Sequence, residues 1–314
     1  MIRQLYMALM ISALTLVWVD AAYAQVRVVT SIKPLQMIAS AITEGVSEPV
    51  LLIPSTQSYH HFVLRPSSVR TLNQAELFVW VGPELETYLT GAIQQGRPQQ
   101  HVLQVLALPG LVIHHAGHDG EDAVEIIVPE DGLHAGHKHA AGEDIDPHLW
   151  LDTRNARAIA RAITEQLVQI DAGYQQAYLQ NLVIFEQRLD VLDATLNASL
   201  KMPEEMHYAV YHDAFRYFER QFGLQHDVVF VGSEEIQPGV RHMLALRDAV
   251  ENRNINCLME DVTSRASTVE TVLGKKEVER VRADTTGQSL TSGPTAYIQL
   301  IENLANAFQQ CFGQ

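Results

Sequence analysis

Short apolar segments alternate with helix-like segments along most of the chain. The apolar segments are rich in β-branched residues and are bounded by turn residues, which is typical of fully buried parallel strands. They lie at residues 26–30, 50–53, 77–81, 102–105, 208–211, 228–231, 255–259 and 278–283. Helical patterns lie at residues 34–42, 83–93, 215–222, 240–250 and 295–312. The alternation predicts an α/β protein with two lobes, each built on a parallel sheet.

The stretch between the two halves has a different pattern. Its apolar residues recur at steps of 4, 3, 4, 3 and 4, namely Tyr178, Leu182, Phe185, Leu189, Leu192 and Leu196. This seam predicts one helix over about residues 173–200, which at 1.5 Å per residue is about 40 Å long. A core helix of a single domain would show the same seam. Its place between two α/β halves favours a rigid connection that limits hinge motion.

These patterns divide the chain into segments. We expect a first lobe at residues 25–170, a connecting helix region at 171–204 and a second lobe at 205–314. Within the first lobe, residues 110–146 are dominated by His, Gly, Asp, Glu and Ala. A loop of this length inside a compact lobe is usually functional or disordered, so we interpret it as a His-rich insertion.

The first 24 residues have the pattern of an export signal. Arg3 precedes an apolar run from Leu5 to Val19, and Ala22 and Ala24 supply the small residues of a cleavage site. The run is shorter than the roughly 20 residues that a spanning helix needs, which argues against a retained anchor. The pattern predicts a mature protein that starts at Gln25 and resides in the periplasm.

Charge and composition exclude several classes of protein. With 22 Lys and Arg against 37 Asp and Glu, the formal charge is −15, which would repel nucleic acid. An apolar share of 47% with 19% charged residues is typical of a globular chain with a buried core. The sequence contains no phosphate-binding glycine loop of the Walker type, so any ATP hydrolysis belongs to a partner.

The chain has two cysteines, Cys257 and Cys311. Two cysteines are too few for a disulfide-dense small fold or for a Cys-rich zinc site. In an oxidising compartment a disulfide between them is favoured. The alternative is that both are buried thiols that pack as small apolar groups.

Histidine is the unusual component, with 14 residues. Six of them lie in the predicted insertion: His114, His115, His118, His134, His137 and His139. Imidazole binds zinc, copper and nickel well, but a loop with loose spacing cannot fix a coordination geometry. We expect weak, exchangeable metal capture there, and the alternative is a solvated loop of biased composition.

Three further segments, which contain none of these six histidines, each place a histidine where a strand would end and a helix would begin. They are Ser58–Ser67 with His60, Asp146–Asp152 with His148, and Tyr211–Phe215 with His212. Each histidine alone is more typical of a surface or core residue than of a ligand. Periodicity does not bring the three together.

Taken together in this order, the three segments resemble the metal-binding receptors of cluster A-I, which serve ABC importers. The resemblance is closest to the zinc-specific, ZnuA-type branch. It covers nearly the whole mature chain and includes the His-rich insertion, Glu235-Ile236-Gln237-Pro238-Gly239 and the cysteine pair. It implies a two-lobed fold with the metal in the cleft and a function as a zinc receptor, not an enzyme. It also implies a membrane permease with a cytoplasmic ATPase as partners. We expect the receptor to be a monomer.

The resemblance implies His60, His148 and His212 as zinc ligands, with Asp284 or water as the fourth. Zinc receptors can also use a Glu just before the first His, but Tyr59 occupies that position. His61, beside His60, is a secondary candidate. In the manganese-binding branch of the family that this chain resembles, the position of His212 is a Glu. His212 therefore favours zinc, in agreement with the preference of zinc for nitrogen ligands.

Three alternatives remain open. A manganese receptor or a metal-dependent adhesin would share the fold. A zinc hydrolase would use three His and an open position, with Glu260 or Asp261 as a base, although nothing in their spacing supports it.

Asp152 and Asp213 could orient the neighbouring ligands His148 and His212, or could simply cap helices.

Overall fold

The computed structural model describes residues 25–115, 145–232, 239–262 and 264–313. The predicted signal, residues 1–24, lies outside these ranges. The first lobe contains β1 (Val28–Thr30), α1 (Lys33–Ile42), β2 (Val50–Leu51), α2 (Pro66–Asn73), β3 (Leu77–Trp80), α3 (Pro83–Glu86), α4 (Thr90–Gln94), β4 (His101–Gln104) and α5 (Thr153–Ile170). The long helix α6 is Gln175–Ser199. The second lobe contains β5 (Tyr208–His212), α7 (Arg216–Phe222), β6 (Val228–Val231), α8 (Val240–Asn252), β7 (Cys257–Glu260), α9 (Ala266–Leu273), β8 (Glu279–Arg282) and α10 (Ala296–Cys311).

Each lobe is built on a four-stranded parallel sheet. The strand order is β2-β1-β3-β4 in the first lobe and β6-β5-β7-β8 in the second. All pairings between neighbouring strands are parallel. The predicted fold class is therefore confirmed: two parallel α/β lobes and a long helix between them in sequence.

The two sheets share one topology, and this positions the site. In each sheet the chain runs from the first strand to a neighbour on one side and then crosses to the other side. The connections diverge at this point and leave a crevice at the carboxyl ends of the strands, where ligands bind in open α/β sheets. Residues that follow β1 and β3, or β5 and β7, are therefore candidates for a site.

A continuous apolar core extends through both lobes and the long helix. Five of the six predicted seam residues on α6 are buried, and Leu182 is partly buried against the same core. Close-packed interiors resist deformation, so a shared core opposes large hinge motion between the lobes. Within the described residues, no helix has both the length and the apolar character needed to cross a membrane.

The helix predicted at residues 83–93 is interrupted. The structure has α3, a short 3₁₀ turn over Thr87–Leu89, and then α4. The break lies at Glu86, whose backbone leaves the helical region with φ −121° and ψ 49°. Its buried carboxylate turns back and accepts hydrogen bonds from the N–H groups of Val81 (2.8 Å) and Gly82 (3.3 Å). This local bonding competes with helix continuation, which apolar spacing does not reveal.

Replacing Glu86 with glutamine is expected to change how stability depends on pH. Burial raises the pKa of Glu86 from 4.5 to about 7. Between these values the folded state binds more protons than the unfolded state, so the free energy of unfolding falls as pH rises. At 1.36 kcal/mol per pKa unit, wild type should lose about 3 kcal/mol between pH 4.5 and 8 relative to Glu86→Gln. Urea unfolding at both pH values measures this, with the exposed Glu84→Gln as the control. Identical profiles for wild type and Glu86→Gln would contradict it.

The two cysteines form a disulfide, as predicted. Cys257 and Cys311 are joined with their Cα atoms 5.6 Å apart, and the alternative of two buried thiols is wrong. The bridge ties the first residue of β7 to the last residue of α10. The C-terminal helix is thus anchored to the second sheet.

Candidate metal centre

The structure brings His60, His148 and His212 together. His60 lies in the loop between β2 and α2, His148 immediately precedes a short 3₁₀ turn before α5, and His212 ends β5. Each offers one ring nitrogen, and the three nitrogens lie within 4.8 Å of one another. The ring centroids are separated by 5.2 to 5.8 Å. We call these residues the three-histidine group.

The group suits a small tetrahedral cation. Zinc–nitrogen bonds of about 2.0–2.1 Å in a tetrahedron place ligand nitrogens about 3.3 Å apart. The separations within the group, all below 4.8 Å, would need to contract by no more than about 1.5 Å. Side-chain rotations can provide this. Neutral imidazole is a ligand for zinc, copper and nickel, whereas manganese favours oxygen.

Strand register places Asp261 behind His212. In the pairing of β5 with β7, Val210 is opposite Met259. Because the strands are parallel, moving two residues further along both of them places His212 opposite Asp261. The Asp261 carboxylate lies 3.3 Å from Nδ1 of His212, and both side chains are buried. A carboxylate that accepts a hydrogen bond from Nδ1–H leaves the Nε2 lone pair for a metal.

Asp146 plays the same part for His148. Its Oδ1 lies 2.7 Å from His148 Nδ1 and also accepts the backbone N–H of His148 at 2.9 Å. The phenol of Tyr217 donates to the Asp146 carbonyl at 2.8 Å. His148 Nε2 is buried and has no hydrogen-bond partner among the described residues. A buried ring nitrogen left in this state is available to a cation.

His60 is held by the aromatic residues around it. Tyr59 is buried, packs edge-on against Trp150 at 5.7 Å, and its carbonyl accepts the hydroxyl of Tyr88 at 2.6 Å. Burial, together with the smaller effects of the neighbouring His148 and His212, lowers the pKa of His60 to about 2. His60 is therefore neutral, with a lone pair to offer, at neutral pH.

Trp150 forms part of the wall beside His148. Its ring is fully buried and lies 5.3 Å from that of His148. Its indole N–H donates to the Thr285 carbonyl at 2.9 Å, and the Tyr297 hydroxyl donates to its carbonyl at 2.7 Å. Both partners belong to the second lobe. These bonds fix the segment that contains His148 against the opposite lobe.

The structure does not bring Asp284 or His61 into the three-histidine group. The Asp284 carboxylate accepts hydrogen bonds from the backbone N–H groups of Thr286 (3.0 Å) and Ser289 (3.2 Å). These bonds keep it within its own turn. His61 is exposed and lines the cleft. The role of Asp284 as a fourth ligand stays a prediction.

Sequence reasoning overlooked the residues that orient the ligands. Asp152 caps α5 by accepting the N–H of Arg154 at 2.7 Å, and Asp213 pairs with Arg216. Asp146 and Asp261 are the actual partners of His148 and His212. The signal for Asp261 was present, because the predicted strands at residues 208–211 and 255–259 end one residue before His212 and two residues before Asp261.

Replacing Asp146 with asparagine is expected to lower zinc affinity about 10-fold to 100-fold. This is the usual cost of losing a group that orients a metal-bound histidine. A chelator competition assay measures the affinity. The control is Asp152→Ala, which removes a helix cap and should cost about 1 kcal/mol of stability without changing zinc affinity. An effect of Asp152→Ala as large as that of Asp146→Asn would reverse the assignment.

Two histidines of the predicted insertion are described. His114 packs its ring against Tyr217 at 4.7 Å, and its carbonyl accepts the N–H of Asp146 at 2.9 Å. His115 pairs with Ile145 in an antiparallel bridge. The two ends of the insertion therefore meet beside Asp146. His118, His134, His137 and His139 lie outside the described residues.

Comparison with known proteins identifies the family. The model of the family described as "ZnuA: Zinc-uptake complex component A periplasmic" matches residues 28–311. The chain belongs to the ZnuA family. High-affinity zinc uptake system protein ZnuA of Yersinia pestis is 30% identical over 298 residues, with 92% of each chain covered. The protein of the same name from Haemophilus ducreyi is 29% identical, covering 93% of this chain and 94% of its own.

Solved structures agree on the fold. A crystal structure of ZnuA superposes with a TM-score of 0.72 at 18% identity, covering 92% of this chain and 98% of that one. The periplasmic zinc binding protein TroA from Treponema pallidum gives a TM-score of 0.70 at 19% identity, covering 90% and 99%. At these identities the likeness establishes two lobes of the same architecture and does not decide the metal.

Proposed function

We propose that this member of the ZnuA family is a periplasmic zinc receptor. It binds Zn²⁺ in the cleft through His60, His148 and His212 and delivers it to the permease of an ABC importer, whose cytoplasmic ATPase drives transport. The observation that supports this most is the three-histidine group in a chain of the ZnuA family. Zinc is the cargo here and not a resident cofactor.

The donor set favours zinc over manganese. Three imidazole nitrogens suit zinc, and the two carboxylates nearest to them are turned to Nδ1 atoms. One fold neighbour was solved with manganese, the FpvC protein of Pseudomonas aeruginosa, at a TM-score of 0.71 and 19% identity over 91% of this chain and 99% of that one. The choice of metal is therefore expected to follow from the ligands and not from the fold.

A competitive titration of residues 25–314 with zinc and manganese against a chromogenic chelator tests the proposal. We expect one tight zinc site and a much weaker response to manganese. The control is the His60→Ala/His148→Ala/His212→Ala variant with the insertion removed, which should show no tight site. Tight zinc binding by that variant, or comparable manganese binding by wild type, would overturn the proposal.

We propose further that the insertion collects zinc at weak sites and passes it to the cleft. Its ends meet at the His115–Ile145 bridge, so residues 116–144 can be replaced by a two-residue Asn-Gly turn. This change is expected to abolish the weak zinc sites and leave the affinity of the tight site unchanged, because the His114–Asp146 contact is retained. Calorimetric titration counts both classes. An unchanged number of sites would show that the insertion is passive.

The remaining features follow from the same role. We infer export with removal of residues 1–24, action as a monomer, and no enzymatic activity. The supporting argument is that a receptor releases its cargo unaltered, so the site needs ligands but no general base. Esterase or hydratase activity that depends on His212 would favour the hydrolase alternative instead.

A further inference from the structure

A cavity of about 360 Å³ adjoins the three-histidine group. His212 lines it from the second lobe, and Tyr59 and His61 line it from the first. Protein pockets for small molecules begin at about 300 Å³. A single metal ion fills little of this space, so the cavity has room for a second, organic component.

The charged walls of the cavity are cationic. Lys33 at the start of α1 and Arg265 just before α9 line it, one from each lobe. No aspartate or glutamate is among its described lining residues. The amino-terminal ends of α1 and α9 add partial positive charge. This is a local exception in a chain of formal charge −15, and it favours an anion.

Two carboxylates close in sequence to cavity-lining residues have protein partners. Asp261 faces His212, and Asp284 accepts hydrogen bonds from Thr286 and Ser289. The Lys33 ammonium donates to the carbonyls of Gln288 (3.1 Å) and Leu290 across the cleft. These contacts hold Lys33 at the cavity wall, where its ammonium also interacts electrostatically with Asp284.

Three nitrogens leave one position of a four-coordinate zinc ion for a further ligand. Zinc in proteins is almost always four-coordinate, and its carboxylate oxygens lie at about 2.0–2.2 Å. The group supplies three nitrogens, and Asp284 is not part of it. His212 is the member of the group that lines the cavity, so the cavity borders the metal site on the side of His212.

We propose that the cavity binds a small polycarboxylate of the citrate class, which supplies the fourth zinc ligand. One carboxylate coordinates the metal, and the others pair with Lys33 and Arg265. A planar guanidinium suits a carboxylate in this role. The inference rests on the proposed function, because the anion binds only with zinc. The substrate is then a zinc–carboxylate complex.

Equilibrium dialysis with radiolabelled citrate tests this on protein that carries one zinc and on zinc-free protein, with bound zinc measured by atomic absorption. We expect one citrate per zinc-loaded protein and none without zinc. Arg265→Gln should weaken citrate binding about tenfold, as expected for one charge-assisted hydrogen bond, with zinc affinity in carboxylate-free buffer unchanged. The matched control is Arg220→Gln, an exposed arginine on α7 that does not line the cavity.

Three results would overturn the inference. An affinity for free zinc that citrate does not raise would mean that water completes the site, and the zinc receptor would stand. Citrate bound equally well by Arg265→Gln would place the anion on the metal alone. Inorganic phosphate that displaces citrate at equal concentration would remove the preference for polycarboxylates. If wild type bound no zinc in either buffer, the proposed function would fail together with this inference.

Discussion

Replacing His212 with alanine is expected to lower zinc affinity by more than about 100-fold. Loss of a group behind a metal-bound histidine already costs about 10-fold to 100-fold, and loss of the ligand itself should cost more. Two imidazoles would remain, which is too few for a selective site. The buried Asp261 carboxylate would also lose the ring that it faces at 3.3 Å.

The matched control is His207→Ala. His207 lies directly before β5, is half-exposed, and contacts Asp227 at 3.1 Å, away from the three-histidine group. The His207→Ala substitution should leave zinc affinity unchanged. The free energy of unfolding of each zinc-free variant separates loss of a ligand from loss of the fold. Zinc affinity of His212→Ala within tenfold of wild type would exclude His212 as a ligand.

His212→Glu extends the same test to metal choice. It converts a set of three nitrogens into two nitrogens and a carboxylate, which favours harder cations. We expect the ratio of zinc to manganese affinity to fall. A new carboxylate next to Asp261 adds electrostatic repulsion, so the combined variant His212→Glu/Asp261→Asn is the better measure. An unchanged ratio in both variants would show that His212 does not set the preference.

The sheets were predictable because of how they are buried. Parallel strands covered on both faces contain consecutive apolar residues, and all four residues of β3 and all five of β5 are buried. Such runs stand out even at four or five residues. The helices α2, α5 and α9 were not assigned, and α2 has only one buried residue, Leu72. A helix with so narrow an apolar face has little periodic signal.

The site was less predictable than the fold. His60, His148 and His212 lie far apart in the sequence, and no local pattern joins them. The resemblance to a family supplied the grouping, and the topology explains the place of His212, which ends β5 beside the crevice of the second sheet. Asp284 also follows a strand, β8, but its carboxylate accepts hydrogen bonds from the backbone of its own turn. Such bonding is a property of loop conformation that spacing does not encode.

The Cys257→Ala/Cys311→Ala variant is expected to lose about 4 kcal/mol of stability. The bridge closes a segment with a sequence separation of 54, and the chain-entropy model assigns about 4 kcal/mol to a loop of that length. Alanine is the suitable replacement because both positions are buried in the apolar core. Chemical denaturation of the zinc-free protein measures the loss.

The same variant should retain its affinity for zinc. Cys257 begins β7, whereas Asp261 and the three-histidine group lie beyond the other end of that strand. Reduced wild type is the matched control and should unfold like the variant, while a reductant should not affect the variant. A stability loss below about 1 kcal/mol would mean that packing around Phe308, which stacks on Phe218 at 5.1 Å, anchors α10 without the bridge. A loss of zinc affinity would instead mean that anchoring of α10 controls the position of Asp261 at the carboxyl end of β7. The two ends of the strand would then be coupled.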